Sequence, residues 1–301
     1  MKKVFGLIVL TAIFVLNGCK EIGPPIVLQA PPVVKGSKQS GLISDSTYIE
    51  TSIPAADSKR VMMEEFSGQN CPNCPTGHAA VEQIIANNSG KISAATLHTN
   101  FFAPQSNPIA PVDFRTTFAT DIINTYGAGA VGIPCAMIDR VFVGGTTNST
   151  AILTPSTWSS YVATELTKTS YVNMVLSSNW DAAASQDSLT VALHFTSTVT
   201  ADSLNLSLMI TEDNIVAGQD SAGIILPNHV HNHILRTMIT PSTGIKIAPS
   251  KVAGRVVIYK FRSDVIDITK WKLSNLKVIA FVHKQNSGVY DIVQVAEKTV
   301  Q

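Results

Sequence analysis

Charge of one sign is what this chain most lacks: 22 Lys and Arg against 21 Asp and Glu leave a net charge of +1 over 301 residues. Without a basic excess, nucleic acid is not a natural partner. No glycine-rich phosphate loop and no nucleophile elbow occurs, so nucleotide-dependent and serine-hydrolase chemistry have no foothold, and no organic cofactor is indicated. The apolar stretch at 4–16 is too short to span a bilayer comfortably. Cysteine is scarce too, with four in all: Cys19, Cys71, Cys74 and Cys135.

What is present at the N-terminus sets their environment. Met1-Lys2-Lys3 is a short basic region ahead of the apolar stretch, which ends in Leu16-Asn17-Gly18-Cys19. This resembles a bacterial lipoprotein signal: a leader of residues 1–18 removed and lipid carried on Cys19, holding the protein stably at a membrane outside the cytoplasm. Lys20 rather than Asp follows the lipidated position, which favours the outer membrane, on its periplasmic or surface face. The mature thiols Cys71, Cys74 and Cys135 are an odd number in an oxidising compartment, so one is left over. From 20 to about 58 the chain is rich in Pro, Ser and Gly, including Pro24-Pro25 and Pro31-Pro32, and without sustained period. Residues 19–58 therefore read as a lipidated spacer.

From 59 to 170 strands and helices alternate: strands at 61–66, 91–99 and 135–143, helices at 77–87, 113–126 and 157–167. Such alternation predicts an α/β layer. Beyond residue 171 the period falls to two, as in Leu189, Val191, Leu193, Phe195 and again in Leu204, Leu206, Leu208, Ile210. With further strands at 172–178, 229–240, 252–261, 276–283 and 289–295, residues 171–301 predict an all-β, immunoglobulin-like sandwich.

The pair Cys71-Pro72-Asn73-Cys74 falls where the first strand gives way to the first helix. Free backbone N–H groups and the helix dipole favour a thiolate there, which makes the pair a candidate redox centre. A structural disulfide and half of a metal site are the other readings of the same spacing. Phe66 stands five residues before Cys71, and Val131-Gly132-Ile133-Pro134 precedes the apolar run Cys135-Ala136-Met137-Ile138. Together these resemble thioredoxin-like proteins. The resemblance implies that Pro134 is cis and positions an extended substrate, that Glu65 is a buried acid relaying a proton to the second cysteine while Glu64 takes the opposite face, and that Cys71 attacks and Cys74 resolves. Two departures weaken the match: Asn70 stands where a tryptophan is usual, and the interval before Pro134 carries extra residues, including 101–112.

Metal binding by Cys71, Cys74, His78 and Cys135 is the rival arrangement. His229, His231 and His233 share one face if they lie on a strand, an arrangement a metal site could use, but with no carboxylate close by in sequence they read as a solvated or hydrogen-bonded face. Lipobox, spacer, the run from Glu64 to His78, and a strand-rich second half including Val230-His231-Asn232-His233-Ile234-Leu235-Arg236 and Leu276-Lys277-Val278-Ile279-Ala280-Phe281-Val282 resemble the Omp28-related outer-membrane lipoproteins of Bacteroidetes. That resemblance implies a place in the envelope more than an activity, with surface adhesion or receptor roles. Asp45-Ser46-Thr47, Asp187-Ser188-Leu189, Asp202-Ser203-Leu204 and Asp220-Ser221-Ala222 resemble O-glycan acceptors of that phylum and are also ordinary turn chemistry. Two functions emerge: thiol–disulfide exchange with exported proteins, or a surface binding module in which the Cys pair is a staple.

Overall fold

The computed structural model describes residues 41–98, 112–126, 132–143, 150–152, 154–286 and 288–301. The architecture is mostly β, with three α-helices among the described residues. Strand β1 (Gly41–Ile49) pairs with β13 (Arg255–Ser263), which pairs with β7 (Gln186–Phe195), which pairs with β6 (Val172–Asp181). The larger sheet runs β15 (Ile292–Thr299), β14 (Leu276–Lys284), β8 (Leu204–Glu212), β11 (Ile234–Met238), β3 (Ile92–His98), β2 (Val61–Ser67), β4 (Cys135–Ile138), β5 (Ala151–Ile152), with β12 (Ile245–Lys246) also on β8. A separate hairpin joins β9 (Ile215–Ser221) to β10 (Ile224–His231).

The sheet therefore crosses residue 170 unbroken. β11 lies parallel to β3, with Ile234 opposite Thr96, and the Thr96 N–H donates to the His233 carbonyl at 2.7 Å. The four-stranded sheet packs on β8 and β14 through alternate apolar residues, among them Leu189, Val191, Leu193, Leu206, Leu208, Tyr259, Phe261, Val278 and Val282. Period two places those side chains on one face of each strand, which is why that half was legible.

All seven residues of β2 and all seven of β3 are buried, as befits parallel strands covered on both faces. Val61 and Met63 face helix α1 (Cys74–Asn87) and helix α3 (Trp158–Leu166), while Met62 and Phe66 face helix α2 (Thr117–Tyr126) and β14. Helix α1 buries Cys74, Gly77, Val81 and Ile84, a spacing of three and four that lays one stripe on the sheet. Pro75 fits its first turn, and the Asn88 side chain bonds back to the Ile84 carbonyl at 2.9 Å to close its end.

Several boundaries differ from expectation for local reasons. Residues 41–49, read as spacer, form β1, because β13 offers an edge that pairs with them from Gly41 to Ile49. The helix expected from 113 starts at Thr117: Asp113 accepts the Arg115 N–H at 3.0 Å in a local turn, and Thr116 Oγ1 then accepts the Ala119 N–H at 3.0 Å as the N-cap. β4 stops at Ile138 because Asp139 and Arg140 take φ of 49° and 52°. The single strand expected over 229–240 is two, β10 and β11, broken where His233 adopts φ 59°. Among the described residues no helix is long and apolar enough to cross a membrane.

Candidate functional site

Cys71 and Cys74 form a disulfide at the N-terminus of α1. The Ile133–Pro134 peptide bond is cis, and the Cys71 sulfur lies 3.8 Å from the Ile133 carbonyl oxygen. Cys71 is only 2% exposed and Cys74 is fully buried, so neither sulfur stands open as a nucleophile would. The cover is the β9–β10 hairpin. Asp220 N–H donates to the Gln69 carbonyl at 2.8 Å, Ala222 N–H to the Pro72 carbonyl at 3.0 Å, and Gln219 Nε2 to the carbonyls of Gly68 (3.2 Å) and Cys71 (3.1 Å). No periodicity in 215–231 announces this docking; the nearest signal is Asp220-Ser221-Ala222, read as a glycan acceptor or as ordinary turn chemistry.

Glu65 and Glu64 go to opposite faces of β2, as the alternation requires. Glu65 faces α1, where its Oε2 accepts a hydrogen bond from Thr96 Oγ1 at 3.1 Å and its Oε1 has no hydrogen-bond partner. Burial pushes its pKa up to about 8, with the Thr96 bond and His233 pulling the other way. Its neighbour across the interface is Gly77, one turn beyond Cys74: a Cβ there would stand 2.6 Å from Glu65 Oε1 and 2.8 Å from Pro134 Cβ. The glycine is thus what lets the helix sit against both the acid and the cis-proline. Glu64 is held from the other side by Arg140, with Oε1–Nη2 at 2.6 Å and Oε2–Nε at 2.7 Å, and the guanidinium stacks 3.9 Å from the Tyr126 ring centroid.

Cys135 lies opposite Phe66 on β4, its thiol raised to about 12 by burial and by Glu65. It is the free cysteine among the described residues, and the other two candidate thiol ligands are consumed in the disulfide. Cys19 and Val131 fall outside the described residues, as does most of the added segment around 101–112.

Beside the disulfide lies a feature the sequence scattered over 150 positions. A cavity of about 200 Å³ is lined by Glu65, His78, Glu82, Thr96, His229 and His231, among others. His78 comes from α1, and its Nε2 meets Ser67 Oγ at 2.7 Å while its Nδ1 lies 3.2 Å from His229 Nε2. His229 and His231 do share a face of β10, with ring centroids 4.7 Å apart, and His98 of β3 stands 6.1 Å from His231. Burial lowers the pKa of all four, His78 to about 4 and His231 to about 3, so these rings are neutral at pH 7. His233 departs from the expected common face. Burial disfavours its charge, but Asp213 (3.2 Å) and Glu82 (3.5 Å) outweigh that and raise it to about 9, making it an imidazolium.

The fold and site define a β-rich protein with a CxxC disulfide held at a helix start beside a cis-proline and a buried acid. Residues 120–301 match the family described as outer membrane protein Omp28, and the chain belongs to that family. It is accordingly an outer-membrane protein of the cell envelope. Among curated proteins none matches the sequence. Among solved structures, HBP35 of Porphyromonas gingivalis shares the fold at 16% identity over 82% of this chain and 77% of that chain, with a TM-score of 0.63. A protein from Agrobacterium tumefaciens does so at 12% identity over 82% and 97%, with a TM-score of 0.52. A domain of the outer membrane lipoprotein Omp28 from P. gingivalis aligns at 14% identity over 44% of this chain and 89% of that one, with a TM-score of 0.31.

Proposed function

We propose that the chain is an envelope lipoprotein, anchored through Cys19, whose thioredoxin-like layer over 59–170 carries a thiol–disulfide exchange centre and whose immunoglobulin-like β-sandwich over 171–301 supports it. The observation that carries this reading is the joint placement of the Cys71–Cys74 bond, cis-Pro134 and the buried acid Glu65 around the first turns of α1. In the oxidised form an incoming substrate thiolate attacks the Cys71 sulfur. The Cys71–Cys74 bond breaks, its electron pair goes to Cys74, and Glu65, protonated at neutral pH, is placed to supply the proton. A second substrate thiolate then displaces Cys71, leaving a substrate disulfide and a protein dithiol. Partners of this chemistry are exported proteins bearing thiols or disulfides.

The burial of Cys71 under the hairpin favours a second reading, a surface binding module in which the bond is a staple. The reduction potential of the mature protein against a glutathione series, with Cys71→Ser as the control, separates the two. A poise within reach of glutathione together with reduction of insulin disulfides supports exchange; a bond that stays closed below about −300 mV overturns it.

A further inference from the structure

We propose that His78, His229 and His231 are the ligands of a divalent transition-metal site of the zinc class, distinct from the cysteine pair and independent of whether that pair is catalytic. Around a tetrahedral ion with metal–nitrogen bonds of about 2.0–2.1 Å, coordinating nitrogens stand roughly 3.3 Å apart and imidazole centroids about 5 Å apart. His78 Nδ1 and His229 Nε2 are 3.2 Å apart, a ring-to-ring hydrogen bond that an ion would replace. The three centroid separations are 4.7 Å for His229–His231, 5.4 Å for His78–His229 and 6.0 Å for His78–His231. Among the described residues no three such side chains already converge on one point at ligating distance. The His78–His231 separation is about 1 Å longer than that ideal, so binding an ion draws those two rings together.

Three further observations point to an ion. First, neither ring nitrogen of the buried His231 makes a hydrogen bond of good geometry among the described residues, and neither does either nitrogen of His98 behind it. The Ala217 and Gly218 backbone beside His231 favours its charge only weakly against the burial that opposes it. A buried polar group without a partner costs about 1–3 kcal/mol, and native proteins keep few without a reason. Second, His78 is already oriented as a metal ligand is, with Ser67 Oγ on the nitrogen remote from the tripod fixing which nitrogen points inward. Third, the cavity lies against these rings, and Glu82 in its wall, held ionised by His233 and Asn232, supplies negative charge near a dication. His233 is excluded from the set because Asp213 and Glu82 hold it. Three imidazoles suit zinc, cobalt or copper over calcium or magnesium.

The test is a Co2+ titration of the chelator-stripped, oxidised mature protein, followed by visible absorption, with Zn2+ as competitor. One equivalent should bind with a visible d–d band and be displaced by Zn2+. His229→Ala, at a half-exposed position where folding is checked by circular dichroism, should weaken binding by at least the ~10–100-fold that loss of even an outer partner costs, and Ser67→Ala by a factor in that range. The double variant Cys71→Ser, Cys74→Ser should bind as the parent does. Absence of saturable binding, binding unchanged in His229→Ala, or binding lost in the cysteine variant would each overturn the proposal.

Discussion

Replacing Glu65 by glutamine isolates one buried proton. The folded protein holds that proton with a pKa near 8, against 4.5 for the same group in the open. Between those values the folded state binds more protons than the unfolded state, so the stability this group contributes is fully present below about pH 4.5 and is lost as pH rises through about 8. One pKa unit corresponds to about 1.4 kcal/mol, and integrating from pH 5 to pH 8 gives a loss of roughly 3 kcal/mol. The amide introduced by Glu65→Gln keeps an acceptor for Thr96 Oγ1 and cannot ionise. Asp139, raised to about 7 mainly by burial, and His233, raised to about 9, also lose stability with rising pH, while His78 and His231 gain it as pH climbs out of the acid range. The curve of either protein alone is therefore a mixture, and the informative quantity is the difference between the two. Urea denaturation of both at pH 5, 6, 7 and 8 should show Glu65→Gln becoming progressively the more stable, by about 3 kcal/mol across the range. A difference that stays constant within about 0.5 kcal/mol would show that Glu65 is ionised in the fold, and the proton-donating role assigned to it would go with it.

Two structural predictions accompany it. Arg140→Met leaves Glu64 buried without its bidentate partner, and should cost about 3–5 kcal/mol in urea denaturation, most of it recovered when Glu64→Gln is added; a loss under about 1 kcal/mol would mean the pair is solvated. Gly77→Ala gains up to ~1 kcal/mol of helix propensity but drives a methyl against Glu65 and Pro134, an overpacking cost of about 1–3 kcal/mol. The same denaturation assay should show net destabilisation, and net stabilisation would contradict the close approach of α1 to the sheet.

Where the sequence spoke, it spoke through period and local spacing. The alternation in β7 and β8, the opposite faces of Glu64 and Glu65, and the helix starting at the cysteine pair are all short-range consequences of 3.6- and 2.0-residue repeats. What was hidden depends on long-range docking. β1 looks like spacer because a strand at the rim of a sheet needs only backbone pairing, and nothing in 41–49 alternates cleanly. His229 and His231 read as a polar strand face because their ring partners, His78 and His98, sit more than 130 positions earlier. His233 broke from that face through one positive φ, which a histidine adopts uncommonly and which no pattern announces.

The hairpin makes the disulfide and the histidines one mechanical problem. Its tip, through Gln219, Asp220 and Ala222, lies on the carbonyls around Cys71, and its second strand carries His229 and His231 to His78 on α1. Any opening that exposes the Cys71 sulfur by lifting β10 also pulls two ligands away from the third. An ion that binds the closed arrangement and not the open one therefore holds the disulfide shut by RT ln(1 + [ion]/Kd), about 2.7 kcal/mol or ~100-fold at an ion concentration of 100 Kd. The rate at which a phosphine reductant opens Cys71–Cys74 reads this directly. Zinc at that level should slow reduction by up to ~100-fold in the parent protein and by no more than about 2–10-fold in His229→Ala, whose site is weaker by ~10–100-fold. Gln219→Ala, which removes two hydrogen bonds from the tip, should speed reduction with or without metal by about 10-fold, the equivalent of one to two net hydrogen bonds. Equal rates with and without zinc in a parent protein shown to be loaded would mean that the sulfur is reached by a route that leaves β10 in place.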